Sequence, residues 1–428
     1  MIFTFRIEPN DNFTIYEFEK VIDFSNSESF LYTFWNLRDC YNSWYDTRAI
    51  DLLYISMAVF AADRLYLRDD AVDAWSREYQ LYIPVINKEI FEKNNDLLQE
   101  MLSFLTGDHW EIHFRERELT QLEISHRNRK VKSHETVKDY NQVCMFSGGL
   151  DSFIGAIDLL ESYEEKSTLF VSHYGGGKGT KEYQDYLKIK FIDQYGVEER
   201  DFCQFYAKVV GGIEDTTRSR SFMFFSHAVV LASALGKPID IIIPENGLIS
   251  LNIPSTLSRI GTSSTRTTHP YYMELFQKLL SNLGLEITFK NPYQFKTKGE
   301  MLLECKGQDF MKKYYNHTMS CSHPDIGRMF SETEAKHCGY CLPCVIRQAA
   351  ILKAGINDTT SYRDRLFTMG PNEKMIRNSY ILGLKKFDPD KAFMTIQMNG
   401  RIDKDIEKFA DLYVRGMCEL EQYLRTIL

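Results

Sequence analysis

The sequence predicts an α/β fold on a parallel sheet, and three observations carry that prediction. From about Tyr140 short apolar runs alternate with helix-length amphipathic runs. The stretches between successive apolar runs are long enough for parallel crossovers. The first apolar run passes through two adjacent glycines directly into a helix-like segment.

Taken in order, residues 143–146, 168–173, 202–209, 239–243 and 286–290 read as five strands. Residues 151–162, 180–195, 219–235 and 270–283 read as the helices between them. Upstream, strand-like pieces at 2–7, 79–83 and 110–114 surround one helix at 48–67, whose Leu52, Leu53, Ile55, Val59 and Phe60 recur at helical spacing. The short basic run His126 to Lys132 reads as a solvated loop or linker. Beyond Leu303 the alternation gives way to a cysteine-bearing loop and a helix at 342–353, then to an irregular stretch and an amphipathic helix within 402–428. Four units follow: an amino-terminal α+β module (1–138) with a possible partner-binding role, the α/β core (139–305), a cysteine segment completing that core (306–354), and a helical extension (355–428).

Composition bounds the function. With 44% hydrophobic and 26% charged residues the chain is globular. Its net charge of −8 argues against nucleic-acid binding through the overall field. No apolar run approaches the ~20 residues of a membrane span, and the first residues do not read as a signal peptide. The expectation is a cytoplasmic protein without membrane contact. Nine cysteines, four of them close together, fit a metal site better than a disulfide framework. Cys40, Cys144, Cys203, Cys305 and Cys418 are scattered and read as small apolar residues.

The sharpest local signal is Ser147-Gly148-Gly149-Leu150-Asp151-Ser152, between the first strand and its helix. Paired glycines let backbone N–H groups approach a phosphate, and the first turn of the helix adds more donors. Ser147 and Ser152 can donate through their hydroxyls, and Asp151 can orient the loop or reach Mg2+. No lysine follows the glycines, so this is not a Walker A loop. Further along, Cys338, Cys341 and Cys344 stand at two-residue intervals, and sixteen residues separate Cys321 from Cys338. Four thiolates close the tetrahedral shell of Zn2+ and leave no open position, which makes the ion structural. A [4Fe–4S] cluster takes the same ligand count and stays as the alternative. His323 and His337 lie close by and are expected at the surface or beside the ligands.

Together these two motifs resemble the QueC-like PP-loop ATP pyrophosphatases, relatives of 7-cyano-7-deazaguanine synthase. The resemblance covers about residues 140–354 and includes Arg347-x-x-Ala350 after the cysteines. It implies a Rossmann-like core (HUP or adenine nucleotide alpha hydrolase-like) carrying a PP-loop. It also implies cleavage of ATP between its α and β phosphates. Ser147, Gly148, Gly149, Leu150, Asp151, Ser152, Tyr174 and Lys298 would then bind ATP and its Mg2+, with Ser147, Asp151, Ser152 and Lys298 catalytic. Tyr174, Arg218, Arg220, Glu245 and Asn246 would meet a small-molecule 7-deazaguanine substrate. Tyr174-Gly-Gly-Gly-Lys178 lacks the Gln-Arg-His continuation of the synthases, and Arg218-Ser219 stands where they have Arg-Asn. The two unmatched extensions resemble those of enlarged QueC-like proteins in anti-phage systems. That likeness implies a protein partner from the same defence operon, whose amine would accept the activated acid. The alternatives are nitrile synthesis with ammonia, tRNA thiolation or small-acid amidation, and a catalytically inactive nucleotide-binding scaffold. His227 reads as a packing histidine, and Arg266 and His269 as substrate contacts or as a helix entry.

Overall fold

The structure is a computed structural model that describes residues 1–15, 20–36, 41, 43–132, 138–162, 167–175, 178–215, 218–253, 266–327 and 334–427. Cys40 and the two glycines after Gly175 lie outside the described residues. The strands are β1 (Ile2–Arg6), β2 (Lys20–Asp23), β3 (Phe30–Tyr32), β4 (Glu78–Val85), β5 (His109–Glu116), β6 (Gln142–Met145), β7 (Thr168–Tyr174), β8 (Phe202–Val209), β9 (Ile239–Ile242) and β10 (Ile287–Lys290). The helices begin with α1 (Thr47–Leu65), α2 (Lys88–Lys93), α3 (Asn95–Thr106), α4 (Gln121–Lys132), α5 (Leu150–Leu160), α6 (Lys178–Tyr195), α7 (Arg220–Ser233) and α8 (Gly247–Leu251). They continue with α9 (Pro270–Asn282), α10 (Lys298–Glu304), α11 (Gln308–Tyr314), α12 (Leu342–Lys353), α13 (Pro371–Lys386), α14 (Ala392–Met398) and α15 (Ile406–Leu424).

The five strands expected from residue 140 onward form one sheet in the order β10-β9-β6-β7-β8, all parallel. The chain winds outward from β6 in one direction and then, from β9, in the other, which is a doubly wound, Rossmann-like arrangement. Its switch point lies between β6 and β9, where ligands bind at the carboxyl ends of such strands. β3 joins the far edge, antiparallel to β8, with Phe30 opposite Val209. This strand lies well outside the core segment and covers an edge that would otherwise offer unpaired backbone groups.

A second sheet, β2-β1-β4-β5, is parallel throughout. Between the sheets runs α1, which packs on α7, β4 and β8. The helix expected from the apolar spacing is present as α1 and is buried on every side, including Asp51 and Asp63. Each carboxylate has fixed partners. The N–H groups of Ile86 and Asn87 donate to Asp51, and Ser219 Oγ donates to Asp63 Oδ2 at 2.6 Å. One continuous apolar core runs from Phe3 and Phe5 in β1 through Leu52 and Leu53 in α1 to Val229 in α7 and Ile241 in β9. Arg77 bridges Asp63 and Asp108, and Arg68 pairs with Asp108 at 2.9 Å, all buried.

The run His126 to Lys132 is helical, which corrects the loop reading. Thr120 and Glu123 form a reciprocal cap, with Glu123 N–H donating to Thr120 Oγ1 at 3.1 Å and Thr120 N–H to Glu123 Oε2 at 2.7 Å. His126 is buried against Trp35. At the other end of the chain α15 buries Phe409, Leu412, Gly416, Leu420 and Tyr423 along one face. It packs on α8, α12 and α14. No described helix is long and apolar enough to cross a membrane.

Candidate active site and four-cysteine centre

The turn after β6 takes its shape from its glycines. Gly148 has φ +82°, where a side chain would be strained, and a Cβ there would stand 2.9 Å from Gln184 Cγ. Gly149 caps α5 in extended conformation, so the first N–H groups of the helix are presented at the switch point. Ser147 Oγ lies 3.1 Å from Ser152 Oγ, which donates to Gly149 O at 3.0 Å. Leu150 N–H donates to Ser320 Oγ at 3.2 Å, and Met319 N–H to Gly148 O at 2.8 Å.

Two segments converge on Asp151. Lys298 Nζ, in the first turn of α10, is 3.0 Å from Asp151 Oδ1, with both side chains almost wholly buried. Asn246, the cap of α8, donates to Asp151 Oδ2 through its side chain at 2.7 Å and its backbone N–H at 3.2 Å. Glu245 lies next in the chain and accepts from Thr268 Oγ1 at 3.1 Å. Burial, and then the charge of Asp151, pushes the Glu245 carboxyl up to about 7. A reciprocal cap of Thr297 and Glu300 starts α10, and Thr297 Oγ1 donates to Glu419 of α15 at 2.5 Å. The carboxyl-terminal extension thus supports the turn that carries Lys298.

The structure therefore brings Ser147, Gly148, Gly149, Leu150, Asp151, Ser152, Glu245, Asn246 and Lys298 together. Tyr174 ends β7 and packs on Tyr206, their ring centroids 5.3 Å apart. Arg220 begins α7 and is exposed to solvent. Arg218 turns elsewhere. Its Nη1 donates to Thr106 O at 2.8 Å and its guanidinium lies over the Trp75 ring, so its contacts among the described residues are with the amino-terminal unit.

Sequence reading passed over three residues here. Gln184 Nε2 donates to Ser147 O at 3.0 Å and His173 O at 3.1 Å, tying the ends of β6 and β7 together. His173 is buried with neither ring nitrogen hydrogen-bonded among the described residues. Burial, then Arg220 and His227, holds its pKa well below the usual value, so the ring is neutral. A polar residue at the carboxyl end of a parallel strand was the available signal for His173. Gln184 and Ser320 carried none. Arg266 packs on Phe104, and His269 accepts from Tyr271 N–H as the cap of α9, which fits the helix-entry reading. His227 stacks on Phe205 and bonds Met223 O, as a packing histidine does.

The four sulfurs of Cys321, Cys338, Cys341 and Cys344 all lie within 4.8 Å of one another. Cys321 to Cys341 and Cys338 to Cys344 are both 3.9 Å. Tetrahedral zinc with bonds of about 2.3 Å would set its sulfurs roughly 3.8 Å apart, so the residues fit one such ion. A cluster of four irons would need a wider cage. The N–H groups of His323 and Cys338 donate to Cys321 Sγ and that of Cys341 to Cys338 Sγ, favouring thiolates. Gly339 has φ +93°, and a Cβ there would meet Asp364 O at 2.5 Å, so only glycine suits this turn. His323 is exposed, while His337 is buried with Nδ1 3.6 Å from Cys344 Sγ and Nε2 3.0 Å from Thr318 O.

No protein-family model matches the chain. Over 243 residues, which are 51% of this chain and 95% of the relative, the sequence is 23% identical to the 7-cyano-7-deazaguanine synthase of Syntrophobacter fumaroxidans (strain DSM 10017 / MPOB). Almost the whole relative is used in that match, so about half of the present chain has no counterpart in it. The α/β core with its parallel sheet and the possible four-cysteine metal site accord with a QueC-like protein, to which this chain is similar at low identity.

Proposed function

We propose that the chain is an ATP-dependent, AMP-forming ligase that activates a 7-deazaguanine carboxylate and passes it to an amine. A carboxylate oxygen attacks the α phosphorus of ATP, pyrophosphate leaves, and an acyl adenylate forms. The amine nitrogen then bonds to the acyl carbon, AMP departs with the oxygen of the broken C–O bond, and the nitrogen loses a proton. The observation that carries this reading is the buried Lys298–Asp151 pair set against the Gly148-Gly149 turn at the switch point. The backbone N–H groups of the turn, with Ser147 and Ser152, would hold the outer phosphates. Lys298 would offset charge developing on the leaving pyrophosphate. Asp151 would offer oxygen ligands to the Mg2+ that accompanies a bound nucleotide. Tyr174, Arg220, Glu245 and Asn246 would line the acid's pocket, with Arg218 acting from behind by packing. The Zn2+ of the four-cysteine centre would be structural.

The extra half of the chain favours a polypeptide acceptor, as in the enlarged QueC-like proteins of anti-phage systems such as QatC of the Qat system. The amino-terminal unit and the carboxyl-terminal helices would be where a partner protein from the same operon docks. Incubation with ATP, 7-carboxy-7-deazaguanine and that partner is expected to yield AMP and to add one deazaguanine acyl mass to the partner. The printed name of the relative favours a second reading, synthesis of the free nitrile with ammonia. Free nitrile beside an unmodified partner would establish the second reading and refute the first. Absence of AMP under all these conditions would leave a nucleotide-binding scaffold.

A further inference from the structure

The carboxyl-terminal helix α15 lies against both helices whose starts hold Asp151. At α10 the contacts are polar. Glu419 Oε1 accepts from Thr297 Oγ1 at 2.5 Å, and the same carboxylate accepts from the Gly299 N–H. A Cβ at Gly299 would stand 2.9 Å from both Glu419 oxygens and from Lys353 Cγ, a close fit that only glycine permits. One turn earlier on α15, Arg415 Nη1 donates to Glu300, and Arg415 Nη2 donates to Phe295 O at 3.0 Å. At α8 the contact is apolar, and a Cβ on Gly247 would run into Leu412 of α15. Gly247 N–H also donates to Lys296 O at 2.9 Å, which ties the start of α8 to the entry of α10.

Thr297, Gly299 and Glu300 are thus all gripped from α15, and the residue between the first two is Lys298. The body of α10 has a separate anchorage, because Met301 and Leu302 are fully buried in the apolar cluster that contains Phe153 and Ile351. The reciprocal cap of Thr297 and Glu300 closes the first turn without orienting it, since both partners belong to that turn. Orientation comes from α15. Burying a carboxylate is costly where an apolar side chain would pack as well. What the acid adds is direction, with two acceptor oxygens that fix one donor on each side of the lysine.

We propose that Glu419 and Arg415 are positioning residues of the adenylating site and act through Lys298. By holding the residues on both sides of it, α15 keeps the Lys298 ammonium where charge builds on the leaving pyrophosphate. The inference rests on the ligase reading above and adds that the carboxyl-terminal extension belongs to the scaffold of the chemistry. Neither residue touches the substrate. A misplacement of about 1 Å at a reacting group costs up to ~100-fold in rate. Lys298 is one of several groups that would hold the phosphates, so a loosened clamp lowers turnover far more than it weakens nucleotide binding.

The test uses the full chain with ATP, 7-carboxy-7-deazaguanine and hydroxylamine as the amine, and AMP is read by chromatography. Glu419→Leu is expected to lower kcat at least ~10-fold while the KM for ATP moves by less than about 3-fold. Glu419→Gln, whose amide oxygen still accepts from Thr297, should recover most of that loss. Arg415→Met, at a partly exposed position, should lower kcat by a smaller factor and keeps the test alive if Glu419→Leu fails to fold. In a Lys298→Met background neither α15 variant should cost further turnover, a coupling that general loosening of the fold would not produce. Ile112→Ala, buried in β5 of the amino-terminal sheet, controls for lost stability alone and should melt lower at wild-type kcat. Wild-type kcat in every α15 variant that folds, or the same fold loss with and without Lys298, would overturn the inference. Absence of AMP in wild type would refute the ligase reading, and hydrogen exchange then decides the clamp. Faster exchange confined to the first turn of α10 in an α15 variant would uphold α15 as the element that holds Lys298, and unchanged exchange would refute it.

Discussion

Glu245→Gln is the perturbation that tests the electrostatics of the site most directly. Burial and the charge of Asp151 raise the Glu245 carboxyl from its ordinary 4.5 to about 7, against the opposing pull of Thr268 and Lys298. Between those two values the folded chain holds a proton that the unfolded chain has released, so stability falls as pH rises through this window. The contribution is fully present below about pH 4.5 and is lost by the time pH passes the folded value. At about 1.4 kcal/mol per unit the shift sets a ceiling near 3 kcal/mol. Glu245 keeps some solvent access, which lowers the expected loss to roughly 2 kcal/mol. Glutamine cannot ionise, and its amide oxygen can still accept from Thr268. Urea unfolding of the two proteins should therefore agree within about 0.5 kcal/mol near pH 5 and diverge by about 2 kcal/mol, in favour of the variant, near pH 9. Parallel stability curves across that range would show that Glu245 is an ordinary solvated carboxylate and refute this account of the cluster.

Gly148→Ala forces a side chain into φ +82° and against Gln184, at a cost of about 1–2 kcal/mol in urea melts. If the turn cradles phosphate, AMP formation should also fall at least ~10-fold, in line with the loss of well-placed backbone donors. Lys298→Met leaves Asp151 buried with only Asn246 donating. It should destabilise by about 3 kcal/mol, largely recovered in the Lys298→Met/Asp151→Asn double variant; a double variant as unstable as the single one would show that the pair is not coupled. Elemental analysis should find one zinc per chain, and Cys338→Ser should lose the metal and lower the melting temperature, with AMP formation falling in parallel. A metal-free protein with unchanged melting and turnover would contradict a bracing role.

What the sequence disclosed tracks how local the cause is. The five core strands were readable because each is a short apolar run between turns, and their pairing follows from parallel crossovers. The Ser147 to Ser152 turn and the cysteine spacing were readable because a few adjacent residues fix their chemistry. β3 was not readable, because three residues set no period and its partner β8 lies some 170 residues away. For α1 the helix itself was readable from its apolar spacing, but only the fold reveals that it is buried nearly all round and which partners hold Asp51 and Asp63. The Thr120 and Glu123 cap was present in the sequence and outweighs the charge run after it. Gln184 acts in the site only because α6 lies over the ends of β6 and β7, which no window along the chain records.

The four-cysteine centre and the glycine turn are one mechanical unit. Cys321 directly follows Ser320, and Ser320 and Met319 hold Leu150 and Gly148 of the turn. Fixing Cys321 to an ion together with three thiols of the α12 entry therefore fixes the far side of the turn. Arg347, on the same helix and fully buried, donates to Thr318 Oγ1 and Tyr315 O, both at 2.6 Å. The segment from Tyr315 to Cys321 is thus pinned at both ends, by a guanidinium and by the thiol cluster, with the contacts to the turn between them. A turn that grips a polyphosphate must keep its N–H groups converged before the ligand arrives, because ordering them on binding would subtract from affinity. A closed metal shell at the four cysteines would supply that rigidity without reacting.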